Sequence, residues 1–116
     1  MSEFQDWLNK LKTSAKPVIV EGKKDEKALL KLGVTNKIFK LSKEPVFRIT
    51  ERVAQAGSEA IILTDFDKKG KELYGKLNTG LQSQRVTVDN YFREWLQKNT
   101  KLSHIEGIDK LAGHLE

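Results

Sequence analysis

Apolar residues recur along this chain in two rhythms that take turns. Phe4, Trp7, Leu8 and Leu11 stand at i, i+3, i+4 and i+7, on one face of a helix over residues 3 to 14 with Ser2 as its candidate N-cap. Pro17-Val18-Ile19-Val20 has the other rhythm, a short β-branched run without polar alternation, as in a strand covered on both faces of a parallel sheet. Asp25 can cap a helix over residues 25 to 32 that buries Ala28, Leu29 and Leu32, and Gly33 ends it. Residues 37 to 41 read as a second strand whose lysine flanks suit a sheet edge.

Pro45 fits the first turn of a third helix, with Val46, Ile49 and Val53 three and four apart and Gly57 closing it. Ala60-Ile61-Ile62-Leu63 is the most strand-like run in the chain. The run leads straight into Thr64-Asp65-Phe66-Asp67-Lys68-Lys69-Gly70, where a helix resumes, burying Leu73, Tyr74 and Leu77 to about Gly80, with residues 81 to 84 open between a last turn and a loop. Arg85-Val86-Thr87-Val88 is the fourth strand, and Asp89 can cap a helix burying Phe92, Trp95 and Leu96. Ser103 and Glu106 have capping-box spacing ahead of Ile108, Leu111 and Leu115, which predicts a terminal helix over 104 to 115.

Strands alternating with helices at short spacing predict an α/β fold, a mainly parallel four-stranded sheet of Rossmann-like type flanked by helices. Such sheets bind ligands beyond the carboxyl ends of their strands, so the loops after Val20 and Thr64 are the places to look. At 116 residues a single domain is expected. The sequence has no cysteine, which excludes thiol catalysis and cysteine-based zinc sites and suits a reducing cytoplasm. No apolar run approaches the ~20 residues that span a bilayer. The start, Met1 to Asp6, lacks the basic, then apolar pattern of a secretory signal, so no membrane association and a cytoplasmic location are expected. The net charge of +5 lies wholly in residues 1 to 50, which hold 11 basic and 6 acidic side chains. That surplus suits a polyanionic partner, and a solvated lysine-rich surface is the plainer alternative.

Acidic residues leave the ends of the two most strand-like runs: Glu21 after the first, Asp65 and Asp67 after the third. If those strands are neighbours, the three carboxylates converge at one rim and suppress one another's ionisation unless a cation joins them. Mg2+, with Mn2+ as substitute, suits an Asp-x-Asp turn beside a Glu, because it takes a few carboxylate oxygens plus waters and phosphates. Gly22 and Gly70 would permit tight turns and close approach of phosphate to backbone N–H groups. Lys23 and Lys24 beside the first motif, and Lys68 and Lys69 beside the second, are candidate contacts to a phosphate backbone.

Val18-Ile19-Val20-Glu21-Gly22-Lys23-Lys24-Asp25 followed by Ile61-Ile62-Leu63-Thr64-Asp65-Phe66-Asp67-Lys68-Lys69-Gly70 resembles the Toprim domain. That catalytic module is shared by topoisomerases, bacterial-type primases, OLD-family nucleases and the ribonucleases that mature 5S RNA. The likeness covers residues 16 to about 98, the expected Toprim core, and is nearest in wording to the small stand-alone Toprim proteins of archaea and bacteria. It implies a general acid/base or further metal ligand at Glu21, Mg2+ ligands at Asp65 and Asp67, and nucleic acid as substrate. Lys68 and Lys69 depart from the acidic residues that type IA topoisomerases place there, and favour phosphate contact over more metal. The topoisomerase tyrosine nucleophile and the primase zinc domain have no counterpart. Tyr74 and Tyr91 read as core residues, as do Trp7 and Trp95.

Several residues keep two readings. Asp25 and Asp89 suit helix capping, and Asp89 is also a candidate for a second metal position. Glu106 suits the capping box or a functional role, whereas His104 and His114 lie too far in sequence from either motif to propose as ligands. The leading expectation is Mg2+-dependent phosphodiester chemistry on RNA or DNA, of nuclease type. The rival is a non-catalytic nucleic-acid-binding or assembly module that works with a partner protein. A phosphohydrolase with Asp65 as nucleophile, in the haloacid dehalogenase manner, is disfavoured because that Asp-x-Asp follows the first strand and precedes Thr.

Overall fold

The computed structural model describes residues 2–114, with the side chains of residues 113 and 114 left undescribed. In chain order the elements are α1 (Glu3–Ser14), β1 (Val18–Val20), α2 (Lys23–Lys31), β2 (Ile38–Lys40), α3 (Val46–Ala56), β3 (Glu59–Ile62), α4 (Lys68–Ser83), β4 (Thr87–Val88), α5 (Tyr91–Asn99), a 3₁₀ segment Ile105–Lys110 and α6 (Leu111–His114). The four strands form one all-parallel sheet in the order β2-β1-β3-β4, with helices on both faces. The α/β class holds, and β2 lies at an edge as its lysines suggested.

Successive side chains on a strand face opposite sides, and the core divides accordingly. Val18, Val20, Ile61 and Leu63 pack on one face with α1, α2, α5 and the carboxyl-terminal segment, while Ile19, Ala60 and Ile62 pack on the other with α3 and α4. Both faces are therefore covered, which is why β1 and β3 read as unbroken apolar runs. Trp7 is fully buried, donates its indole N–H to the Phe92 carbonyl at 3.0 Å and stacks near Phe4 and Trp95.

Boundaries differ where backbone geometry decides more than periodicity. The second helix begins at Lys23, with extended Gly22 as N-cap, so Asp25 is its third residue rather than its cap. The fourth helix absorbs residues 81 to 83, burying Leu81. The fourth strand loses two residues to a turn: Arg85 takes a left-handed φ of 63°, and Val86 N–H bonds back to Leu81. Tyr91 is 39% exposed under the Lys10 ammonium, not a core residue. The expected terminal helix over 104 to 115 is instead the 3₁₀ segment followed by the short α6, and Leu115 lies outside the described residues. Its capping box does not form: Ser103 Oγ bonds to His104 Nδ1 at 2.9 Å, and no side chain caps this segment from His104.

Candidate functional site

Because β1 and β3 are adjacent and parallel, the chain leaves both at the same rim. Glu21 follows β1 directly, and β3 continues through buried Leu63 and Thr64 to Asp65. The two loops are joined by a single bond, Asp65 N–H to Glu21 Oε2 at 2.8 Å, across 44 residues of sequence. The Asp65 loop is drawn tight by Thr64 Oγ1, which donates to the Gly70 carbonyl at 2.8 Å, and by Gly70 N–H, which donates to Asp67 Oδ1 at 2.8 Å. Asp67 is thereby the N-cap of α4. A Cβ on residue 70 would lie 2.0 Å from the Asp65 carbonyl oxygen, so only glycine fits. The close approach that sequence assigned to a phosphate is made by the protein's own backbone. Gly22 is different, since a Cβ there would meet nothing nearer than Ser42 Oγ at 4.0 Å.

Each carboxylate spends one oxygen on a backbone N–H. Glu21 accepts from Asp65, Asp67 from Gly70, Asp25 from Gly22 at 2.9 Å, and Asp65 from Ile105 at 2.8 Å. The last bond, with Phe66 N–H to the Ser103 carbonyl at 3.0 Å, ties the carboxyl-terminal segment onto the Asp-x-Asp loop. It brings in a residue that sequence distance had set aside. His104 Nε2 stands 3.4 Å from Asp67 Oδ2, and ligand atoms of Asp65, Asp67 and His104 all lie within 4.8 Å of one another. Ligands about 2.0–2.2 Å from a shared ion sit roughly 3 to 3.5 Å apart; the His104–Asp67 pair has that spacing, and the wider set would have to draw in to hold one divalent cation. The Ser103 hydroxyl at Nδ1 resembles the orienting partner that metal-bound imidazoles usually have. Two carboxylates suit Mg2+ or Mn2+, and an imidazole beside them tilts the set towards Mn2+.

Glu21 stands outside that tight triad, in a cleft of about 320 Å3 that it lines with Asp25, Asp65, His104, Glu106 and Lys24. Burial pushes its carboxyl pKa up, the charges of Asp65, Asp67 and Asp25 add to the rise, and the Asp65 N–H opposes it. Asp25, 6% exposed, is raised for the same leading reason, with Asp65 and Glu106 contributing. Lys23 and Lys24 are exposed in the first turn of α2, and Lys68 and Lys69 in the first turn of α4, so both pairs flank the carboxylates.

Asp89 is not brought to this rim. Its Oδ2 pairs with Lys16 at 2.8 Å, Lys16 also reaches Glu59 at 3.1 Å, and Asp89 Oδ1 accepts from Tyr91 N–H at the start of α5. The N-cap of α5 is Asn90 rather than Asp89, which bonds the first N–H of the helix from one residue earlier and is committed to Lys16 rather than to a metal position beside Asp65.

No family model matches the sequence. The UPF0292 protein of Thermococcus onnurineus is 40% identical over 110 residues, covering 95% of this chain and 81% of its own length. Its counterpart in Thermococcus sibiricus is 41% identical over 110 residues, covering 95% and 86%. The chain belongs to the UPF0292 family. The UPF0292 protein of Methanocaldococcus jannaschii is a more distant member, 33% identical over 96 residues. A solved structure of a protein from Aquifex aeolicus superposes with a TM-score of 0.83 at 31% identity, covering 90% of this chain and 96% of that one.

Arg93 was missed at the level of sequence, although it sits on a helix face between Phe92 and Leu96 where a charge needs a reason. It is 8% exposed and donates from Nε to the Thr64 carbonyl at 3.2 Å and from Nη2 to the Asp65 carbonyl at 2.7 Å. The rings of Phe66 and Tyr74 flank its guanidinium at 4.7 and 4.8 Å. Arg93 thus fixes the backbone that presents Asp65 and adds a buried positive charge behind the carboxylates.

Proposed function

We propose that this UPF0292 protein carries out divalent-metal-dependent phosphodiester chemistry on nucleic acid, as a nuclease-like Toprim protein. The observation that carries this reading is the meeting of Glu21, Asp65 and Asp67 at the carboxyl ends of two adjacent parallel strands, linked by the Glu21–Asp65 N–H bond. A Mg2+ or Mn2+ ion held by Asp65 and Asp67, with His104 in reach, would neutralise charge on the phosphodiester and orient the departing or attacking oxygen. Glu21 has the place and the environment of a general acid/base, since its raised pKa brings it closer to neutral pH and it is not committed to the triad. Arg93 holds the Asp65 carbonyl, for which Gly70 leaves room, and so sets where its carboxylate points. Lys23, Lys24, Lys68 and Lys69 are exposed, have no carboxylate partner among the described residues, and would meet phosphates on either side.

The test is cleavage of RNA and DNA panels with Mg2+ and with Mn2+, comparing the natural chain with the Asp65→Ala, Asp67→Ala double variant. Loss of at least about 10³-fold is expected, and equal rates would end the proposal. Glu21→Gln should lose about 10²- to 10⁴-fold. A second reading has one observation in its favour: every carboxylate of the cluster already bonds a backbone N–H and so also serves the fold. A non-catalytic binding or assembly module for a partner protein would then keep its nucleic-acid affinity without metal and without these carboxylates.

A further inference from the structure

A second cleft, of about 580 Å3, runs between α2 and the carboxyl-terminal segment. It opens onto the carboxylate cleft, and the two share Lys24, His104 and Glu106. Lys24, Lys27 and Lys31 line one wall, and Lys101 and Lys110 line the other. All five lysines are exposed, against Glu106 and Asp109 as the acids of the cleft. Asp109 is 3.7 Å from Lys31, and among the described residues the other four lysines have no carboxylate partner. At 1.5 Å per residue, Lys24, Lys27 and Lys31 fall about 4.5 and 6 Å apart along one face of α2, close to the step between phosphates in an extended strand. No Phe, Tyr or Trp lines the cleft, and its one ring is His104 at the junction, so charge outweighs base stacking along the rest of it.

We propose that this cleft seats the sugar–phosphate backbone of a single nucleic-acid strand on one side of the reacting phosphate, through Lys27, Lys101 and Lys110 with Lys24 at the junction. The inference rests on the proposed function for the chemistry at its inner end, and goes beyond it in naming a single strand, its path and the residues that hold it. Lysines on two walls of one cleft of this volume fit a lone backbone better than the broad surface of a duplex. Recognition is by charge, so binding tolerates any base sequence and weakens steeply with salt. Four phosphate contacts to a single strand give a slope of log K against log salt of about −2.8, or roughly fiftyfold between 50 and 200 mM salt.

Fluorescence anisotropy with labelled single-stranded oligonucleotides in EDTA tests this apart from any catalysis. The Lys27→Ala, Lys101→Ala, Lys110→Ala variant should bind roughly tenfold or more weakly, with its salt slope flatter by about 2, while the matching Lys→Arg variant keeps affinity. Circular dichroism and melting of both variants separate a lost contact from a lost fold. Unchanged affinity and slope in the alanine variant overturn the proposal, as does tighter binding of a duplex of the same sequence. Equal binding of polyglutamate at matched charge overturns it in favour of an acidic peptide. If the Asp65→Ala, Asp67→Ala chain still binds through the cleft and the natural chain cleaves nothing, the catalytic reading fails and the cleft stands. If the natural chain cleaves and the lysine changes alter neither cleavage nor binding, the catalytic reading stands and the cleft fails.

Discussion

The two rims of the sheet handle similar charges in opposite ways. At the amino rim, Glu59 and Asp89 share one ammonium, Lys16, at 3.1 and 2.8 Å. At the carboxyl rim, Glu21, Asp25 and Asp65 gather with Asp67, yet among the described residues no lysine or arginine forms an ion pair with any of them. The His104 ring stands beside Asp67 at 3.4 Å. Even Arg93, which lies directly behind, gives its N–H groups to carbonyls. Charges neutralised within the chain are structural and expect nothing from outside. Carboxylates bonded to backbone N–H groups, with Arg93 behind them as a partial counter-charge, keep a mutual repulsion that a bound divalent cation would relieve.

The largest expected effect breaks that contrast at the carboxyl rim. Adding Mn2+ or Mg2+ to a chelator-treated sample should raise its stability by about 4.1 kcal/mol once the free ion is a thousand times its dissociation constant, read as a shift in melting temperature. The shift should vanish in the Asp65→Ala, Asp67→Ala variant, shrink in His104→Ala more for Mn2+ than for Mg2+, and persist in Asp89→Asn. A metal response that Asp89→Asn abolishes would dissolve the distinction between the rims. Next in size is the loop that builds the rim. Gly70→Ala puts a methyl 2.0 Å from the Asp65 carbonyl oxygen and should cost more than about 3 kcal/mol by denaturant titration. Gly22→Ala, in the companion motif, has open space and should cost less than about 1 kcal/mol.

How far the sequence foretold this follows from the range of each signal. Apolar runs and helical spacing are local, so β1, β3 and the buried faces of α1 and α5 were legible. Glu21, Asp65 and Asp67 could be assembled because parallel strands must end at the same rim. His104 and Arg93 could not, since each reaches the rim through a tertiary bond: Ile105 N–H to Asp65 carries the one, and carbonyls at Thr64 and Asp65 capture the other. The carboxyl-terminal segment misled for a related reason. Ser103 and Glu106 have the spacing of a capping box, but the N–H of Ile105 is taken by Asp65, and a 3₁₀ turn follows instead of an α-helix. Gly70 was legible as a motif and illegible as a steric necessity, because the clash is with a carbonyl five residues away.

The pH dependence sharpens the same contrast, because the two groups lose their contributions in separate windows, the carboxyls in acid and Lys16 in alkali. Glu21 and Asp25 titrate above their ordinary 4.5 and 3.8, burial being the main cause. A carboxyl raised in the fold favours the folded state most when protonated, so its contribution is full below the ordinary value and lost as pH climbs through the raised one. Metal-free protein should therefore lose stability from these groups as pH rises above about 4, and regain it on adding Mn2+. Glu21→Gln keeps an acceptor for Asp65 N–H and removes the charge. In chelator it should melt higher than the natural chain at neutral pH and level with it below that window, while losing activity. An equal melting difference at all pH values would mean that Glu21 feels no such repulsion.

The smallest effect belongs to the amino rim. Lys16 is raised from its ordinary 10.5, the hydrogen bonds to Asp89 and Glu59 being the leading causes, so its contribution is full at neutral pH and fades only as pH climbs through the raised value. The three side chains keep between 22% and 49% of their surface open to solvent, which screens the pairs and limits their worth. Lys16→Met should accordingly cost about 0.5 to 1 kcal/mol at pH 7, less in high salt, and should leave the metal-induced shift and the cleavage rate where they were. The unchanged behaviour of the carboxyl rim matters more here than the loss itself, because it requires that two carboxylate groups on one small sheet respond to different partners.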